Sequence, residues 1–152
     1  MSESDTLRDL YRAYIDCLNR RAWPELGRHV HDDVRYNGEC VGLPGYRAML
    51  ERDVRDIPDL RFDIAFVMAE PPHIACRLRF DVTPAGRFMG VAVDGRRIAF
   101  NENVFYRFEA GRIVEVWSVI DKAAIEAQLA CAANAARVSI RRPATPSSAG
   151  RR

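Results

Sequence analysis

The sequence has a single lysine, Lys122, among 23 basic residues, and 21 acidic residues bring the formal net charge to only +2. So uniform a choice of arginine points to codon usage in a GC-rich genome, not to a nucleic-acid surface. The arginines are interleaved with acids, as in Glu51-Arg52-Asp53-Val54-Arg55-Asp56. That is the pattern of a solvated face, not of a groove tracking phosphates, and it argues against nucleic acid as a partner. No apolar run approaches the roughly 18 to 20 residues that span a bilayer, so no membrane partner is expected. The four cysteines stand far apart, at 17, 40, 76 and 131, with no Cys-x-x-Cys pair. His29 and His31 read as a helix end and a loop and His73 as part of a Pro-rich turn, so no metal site is expected. Phosphate-binding glycine motifs and the Gly-x-Ser-x-Gly elbow are missing. No cofactor is expected, and any catalysis must be acid–base work by side chains. The acidic start, Met1-Ser2-Glu3-Ser4-Asp5, has no apolar signal core, and free thiols suit a cytoplasmic location.

What is present fits one domain. At 152 residues, 48% hydrophobic and 29% charged, the chain has the composition of a globular protein with one sizeable core. The expected division is a folded domain over 1–140 and a disordered basic tail over 141–152, rich in Pro, Ser and Ala. Five arginines and no acid lie from Arg137 onward, so the remainder is acidic.

Leu7, Leu10, Tyr11, Tyr14 and Leu18 recur at spacings of three and four and predict an amphipathic helix from about Ser2 to Arg20, capped by Ser2, Ser4 or Asp5. A shorter helix is expected over Ala22–Val30, with Pro24 in its first turn. A short strand follows over Asp32–Gly38, and a third helix after the turn Gly42-Leu43-Pro44-Gly45 has Tyr46, Met49, Leu50, Val54 and Ile57 on its buried side. The period then changes to two. Leu60, Phe62, Ile64 and Phe66 predict one half-buried strand, and Ile74, Cys76, Leu78, Phe80 and Val82 a second. A long strand covers Arg96–Phe108, a last strand Arg112–Ile120, and an Ala-rich helix runs from Asp121 to about Ile140. Helices followed by a run of antiparallel strands give the α+β class: a cone-shaped barrel of a curved, mainly antiparallel sheet wrapped around the N-terminal helices, with a C-terminal helix. Such a cone holds an apolar pocket for a small molecule.

Three stretches offer chemistry. Tyr36-Asn37-Gly38 ends the first strand, where Asn37 serves either a ligand or a turn. Asn101-Glu102-Asn103 interrupts an aromatic strand. Alternation sets Asn101 and Asn103 on one face and Glu102 on the other with Phe100, Val104 and Tyr106. In Glu115-Val116-Trp117-Ser118-Val119-Ile120-Asp121, alternation groups Glu115, Trp117, Val119 and Asp121. A desolvated Asp121 is a base near neutral pH; an Asp121 that caps the helix is a weaker one.

Phe88-Met89-Gly90, Asp94-Gly95-Arg96-Arg97-Ile98 and the stretch from Tyr106 through Trp117 to Asp121 resemble the SnoaL-like polyketide cyclase (ester cyclase) family, within the superfamily with the nuclear transport factor two-like fold. The Arg-Phe-x-x-Gly-x-Ile-x-Glu-x-Trp-x-x-x-Asp pattern carries most of the resemblance, which covers roughly Leu7 to Leu129. It implies a homodimer and a metal-free, cofactor-free intramolecular aldol condensation of a hydrophobic, polyketide-like substrate. It also implies Asp121 as general base, Trp117 as a pocket wall, and Asn37 and Asn103 as groups orienting substrate oxygens, with Asn101 and Tyr36 beside them. Asn103 matches the place of a histidine in the cyclases, and an asparagine donates and accepts hydrogen bonds but moves no proton near pH 7. A ligand-binding module without turnover is the alternative on the same fold.

Overall fold

The computed structural model describes the backbone of residues 1–140 and side chains as far as residue 131; the expected tail, 141–152, lies outside the described residues. Helix α1 spans Glu3–Asn19. Of the three candidate caps, Ser2 is the one used: its Oγ accepts from Asp5 N at 3.1 Å, and Asp5 Oδ2 accepts in return from Ser2 N at 3.3 Å. Leu7, Tyr11, Tyr14 and Leu18 are buried along the helix face expected from their spacing. The expected second helix is shorter and tighter, a 3-10 turn over Trp23–Arg28, because Val30 already belongs to strand β1 (Val30–Tyr36). A two-residue strand β2 (Glu39–Cys40) precedes helix α2 (Gly42–Asp56), which starts inside the expected turn with Pro44 in its first turn.

The sheet continues with β3 (Asp63–Glu70) and β4 (His73–Val82), then β5 (Arg87–Phe88) and β6 (Val91–Ala92), and ends with β7 (Ile98–Glu109) and β8 (Arg112–Ile120) before helix α3 (Lys122–Ile140). Six strands form an open, mostly antiparallel sheet in the order β2-β1-β8-β7-β4-β3, with β1 and β8 parallel. On β4 the five expected residues from Ile74 to Val82 are all buried. On β3 the alternation expected from Leu60 to Phe66 breaks. A register shift between Ile64 and Phe66 turns Phe66 and Met68 outward and points Val67 and Ala69 toward the core. This is the local effect of one extra residue in a strand. Leu60 and Phe62 stay buried, but ahead of the strand.

The β5–β6 hairpin, absent from the sequence reading, turns at Met89 and Gly90 with φ of 51° and 77°. Two successive positive φ values make a two-residue turn whose twist suits a hairpin. Ala85 N donates to Asp56 O at 3.0 Å, so the hairpin's base is tied to the end of α2. Phe88 packs at 5.4 Å from Phe100, which follows Phe80 at 5.2 Å and Phe62 at 5.6 Å beyond it. These four rings make one aromatic wall inside the cone.

Asn19, the last residue of α1, holds Phe62 in that wall by two backbone bonds. Its Nδ2 donates to Phe62 O at 3.0 Å and its Oδ1 accepts from Phe62 N at 2.8 Å. Asn19→Ala leaves both backbone groups without these partners and is expected to lower stability by about 1 to 3 kcal/mol. Urea unfolding of the two proteins measures this; an unchanged midpoint refutes the anchoring role.

Candidate functional site

The aromatic wall borders a cavity of about 320 Å³, within the size range of small-molecule sites. Its mouth lies among the exposed Arg52, Asp56 and Arg87, and Tyr36, Asp53 and Glu102 supply polar groups further in. Those three also border a narrower chamber of about 70 Å³ beneath, which reaches Tyr14, Tyr46 and Tyr106.

Glu102 projects inward from the middle of β7, on the same face as the buried Phe100, Val104 and Tyr106. Ser118, inward-facing on β8, donates from Oγ to Glu102 Oε1 at 2.5 Å. Oε2 has no hydrogen-bond partner among the described residues. Burial pushes the Glu102 carboxyl up; the Ser118 bond opposes this and the charge of Asp53 adds to it. Asp53 comes from α2. Burial pushes it up to about 6, the neighbouring Arg52 holding it back and Asp56 adding to the rise. Among the described residues neither carboxylate has an ion-pair partner (the salt bridges all lie elsewhere). Two carboxylates in one largely apolar cavity, with arginines only at its mouth, are costly as a fully ionised pair, so the site favours holding a proton.

Of the six residues singled out from sequence, the structure brings Tyr36 to the cavity. Asn37 sits in a turn at φ 47° and uses its whole amide on Ser118: Oδ1 accepts from Ser118 N at 2.8 Å, and Nδ2 donates to Ser118 O at 3.3 Å. It thereby fixes the residue that holds Glu102. Asn101 and Asn103 lie on the opposite face of β7 from Glu102, and exposed Asn103 accepts from Arg77 Nε at 2.9 Å. Trp117 is 38% exposed on the outer face of β8, opposite Phe105. Asp121 is exposed and caps α3, its Oδ1 accepting from Ala124 N at 3.1 Å. Of the two roles the sequence left open for Asp121, the helix cap is the one seen, and the neighbouring Trp117 and Val119 are exposed on the outer face of β8.

Asp53, Glu102 and Ser118 were missed as site residues. Alternation had already set Glu102 beside Phe100 and Tyr106, and that signal was sufficient to find it. Asp53 sits in a run of alternating charges that reads as a solvated face, and only tertiary packing buries it. Among the described residues no group of three or more His, Cys, Asp or Glu side chains converges as a metal site would require.

A family model, the SnoaL-like polyketide cyclase, matches residues 8–129, from the first helix to the start of the last. The chain belongs to the SnoaL-like polyketide cyclase family. The match spans every strand and the whole cavity, and the fold is that of the nuclear transport factor two-like superfamily. A SnoaL-like polyketide cyclase from Agrobacterium tumefaciens is 52% identical, superposes with a TM-score of 0.80, and aligns over 81% of this chain and 97% of its own. AclR from Streptomyces galilaeus is 25% identical, with a TM-score of 0.69 over 84% of this chain and 98% of its own. TsrD from Streptomyces laurentii shares the fold at 21% identity, with a TM-score of 0.73 over 85% and 98%. No curated protein matches the chain.

The raised carboxyl of Asp53 has a thermodynamic signature. A folded-state value of about 6 against an ordinary 3.8 means that the folded protein binds a proton more tightly than the unfolded chain. The stability this contributes is full below pH 3.8 and is lost as pH rises through 6. Asp53→Asn is therefore expected to raise stability at pH 7.5 by roughly 1 to 3 kcal/mol relative to the parent, and to lose that advantage below pH 4. Denaturant unfolding at the two pH values checks this; an equal effect at both refutes it.

Proposed function

We propose that the protein is a cofactor-independent acid–base enzyme of the cyclase type, acting on a compact hydrophobic, polyketide-like molecule in the cavity between the aromatic wall and α2. The observation that carries this reading is the unpaired carboxylate couple, Asp53 and Glu102. A purely ligand-holding pocket for an apolar molecule gains nothing from two such groups, whereas proton transfer needs them. With its carboxyl near 6, Asp53 is mostly ionised at neutral pH and takes the proton from a C–H beside a substrate carbonyl. The enolate carbon then bonds to a second carbonyl carbon of the same molecule. The oxygen of that carbonyl takes a proton from Glu102, which burial keeps protonated longer than an ordinary carboxyl. The two carboxyls exchange protonation states in each turnover, and the exposed mouth lets solvent reset them. Asn37 and Ser118 hold Glu102 in place.

A fused-ring ketone such as 1-tetralone tests the proton-transfer half reaction, by deuterium exchange at its acidic carbon followed by NMR. Asp53→Asn is expected to slow the catalysed exchange roughly 10²- to 10⁴-fold. Asp121→Asn, which keeps a capping side chain, is expected to change it less than about threefold. The opposite ranking would return the role of base to Asp121. Exchange unaccelerated by the parent protein favours the binding-module alternative.

The homodimer that the family resemblance implies is supported by the outer face of the sheet. Phe66, Met68, Phe105, Trp117 and Val119 are all exposed there, Val119 at 69% and Phe105 at 55%. In register, Met68, Ala75, Phe105 and Trp117 form one row across four strands, and Phe66, Arg77, Asn103 and Val119 the next. A contiguous apolar patch on a soluble surface marks an interaction site. The free thiols at 17, 40, 76 and 131 are in keeping with a reducing, cytoplasmic setting. Phe105→Glu places a charge at the centre of the patch on both subunits, and sedimentation is expected to show a dimer for the parent and a monomer for the variant. A monomeric parent refutes this assignment.

A further inference from the structure

The narrow chamber under Glu102 is lined by phenols whose hydrogen bonding does not close on itself. Tyr14 Oη and Tyr46 Oη lie 2.6 Å apart, and either can donate. A phenol has one proton, so a pair joined by one bond uses one proton and leaves the other to find an acceptor. Among the described residues neither hydroxyl has another partner. Tyr11 donates to Tyr106 Oη at 3.4 Å, and among the described residues Tyr106 Oη has no other hydrogen-bond partner. Tyr14, Tyr46 and Tyr106 all border the chamber, and all three are almost completely buried. Buried donors of this kind require an acceptor. At about 70 Å³ the chamber has room for water or for a small oxygen-bearing group.

We infer that this chamber is an oxygen-binding subsite in which the Tyr14–Tyr46 pair and Tyr106 donate hydrogen bonds to a carbonyl, enolate or phenolate oxygen of the ligand. The inference rests on the proposed acid–base reading only for the use of that oxygen in turnover, and on the phenol geometry for its existence. In the free protein a water molecule is the natural occupant, and the ligand oxygen takes its place. The subsite selects planar conjugated molecules that present one oxygen at an apex while their ring rests against the aromatic wall. It also explains how an apolar cavity that already holds two carboxyls accepts a third oxygen. The developing negative charge meets O–H donors aimed at it beforehand, and such donors lose least when water is excluded. Tyr14 supports Tyr46, because a hydroxyl that accepts one bond becomes a better donor in the next.

The probes are 4-nitrophenol, which presents a phenolate oxygen, and 4-nitroanisole, in which a methyl group blocks it. Binding is followed by the absorbance of the chromophore and by calorimetry. The parent protein is expected to bind the phenolate at least tenfold more tightly than the anisole. Tyr46→Phe keeps the ring and its packing, and is expected to remove most of that preference while leaving anisole affinity within about threefold. Tyr106→Phe is expected to remove part of it, and thermal melting verifies that each variant is folded. Equal preference in parent and Tyr46→Phe, or no phenolate binding by the parent, overturns the subsite. Should Tyr46→Phe misfold, Tyr14→Phe gives the same test from the other end of the pair: a reduced preference supports the subsite and an unchanged one overturns it. The acid–base reading stands or falls separately. Loss of phenolate preference in Tyr46→Phe with full tetralone exchange in Asp53→Asn keeps the subsite and rejects the base. Intact preference in Tyr46→Phe with exchange abolished in Asp53→Asn does the reverse.

Discussion

Keeping Asp53 and Glu102 together in one apolar cavity works against the fold, and much of the surrounding structure is arranged around that cost. A carboxylate out of water is stabilised by a cation or by donors, and among the described residues neither of these two has an ion-pair partner. Glu102 has one hydroxyl, from Ser118, and Asp53 has only the diluted field of Arg52 at the mouth. The stability that follows is uneven. A protein strained at its site recovers the loss elsewhere, in this case through the rows of buried aliphatic and aromatic residues on β4, β7 and α1.

The supports of the site are mostly backbone. Asn37 binds the main chain of Ser118, Asn19 binds that of Phe62, and Gln128 binds both main-chain groups of Ala99 at 2.9 and 2.6 Å. Each amide extends a ladder where the regular pairing ends, so the strands that carry Glu102, Ser118 and the aromatic wall are fixed beyond their own hydrogen bonds. Two of these amides look, in sequence, like turn or helix-end residues. Their function lies in a partner 43 or 81 positions away in the chain.

The architecture was legible because its signals are local. The three-and-four spacing of Leu7, Tyr11, Tyr14 and Leu18 and the strict alternation on β4 depend on few neighbours. The site was less legible for three reasons. The extra residue near Ala65 reverses the outlook of the rest of β3, and nothing in the composition there marks a bulge. The inner side of β8 is set by the curvature of the sheet, which period-two patterning leaves open; Trp117 looks like a pocket wall until Ser118 is seen facing in. The burial of Asp53 depends on helix α2 lying against the cavity, and its charged neighbours in sequence suggest solvent. Glu102 was the exception, since its strand partners already named its side.

The displaced register of β3 has a further effect. β3 is an edge of the six-stranded sheet, and an unbroken edge offers its free N–H and C=O groups to any other extended chain. One extra residue interrupts that offer at the point where Phe66 and Met68 turn outward. Growth strand by strand from this edge is thereby obstructed by the same irregularity that turns Phe66 and Met68 onto the flat of the sheet.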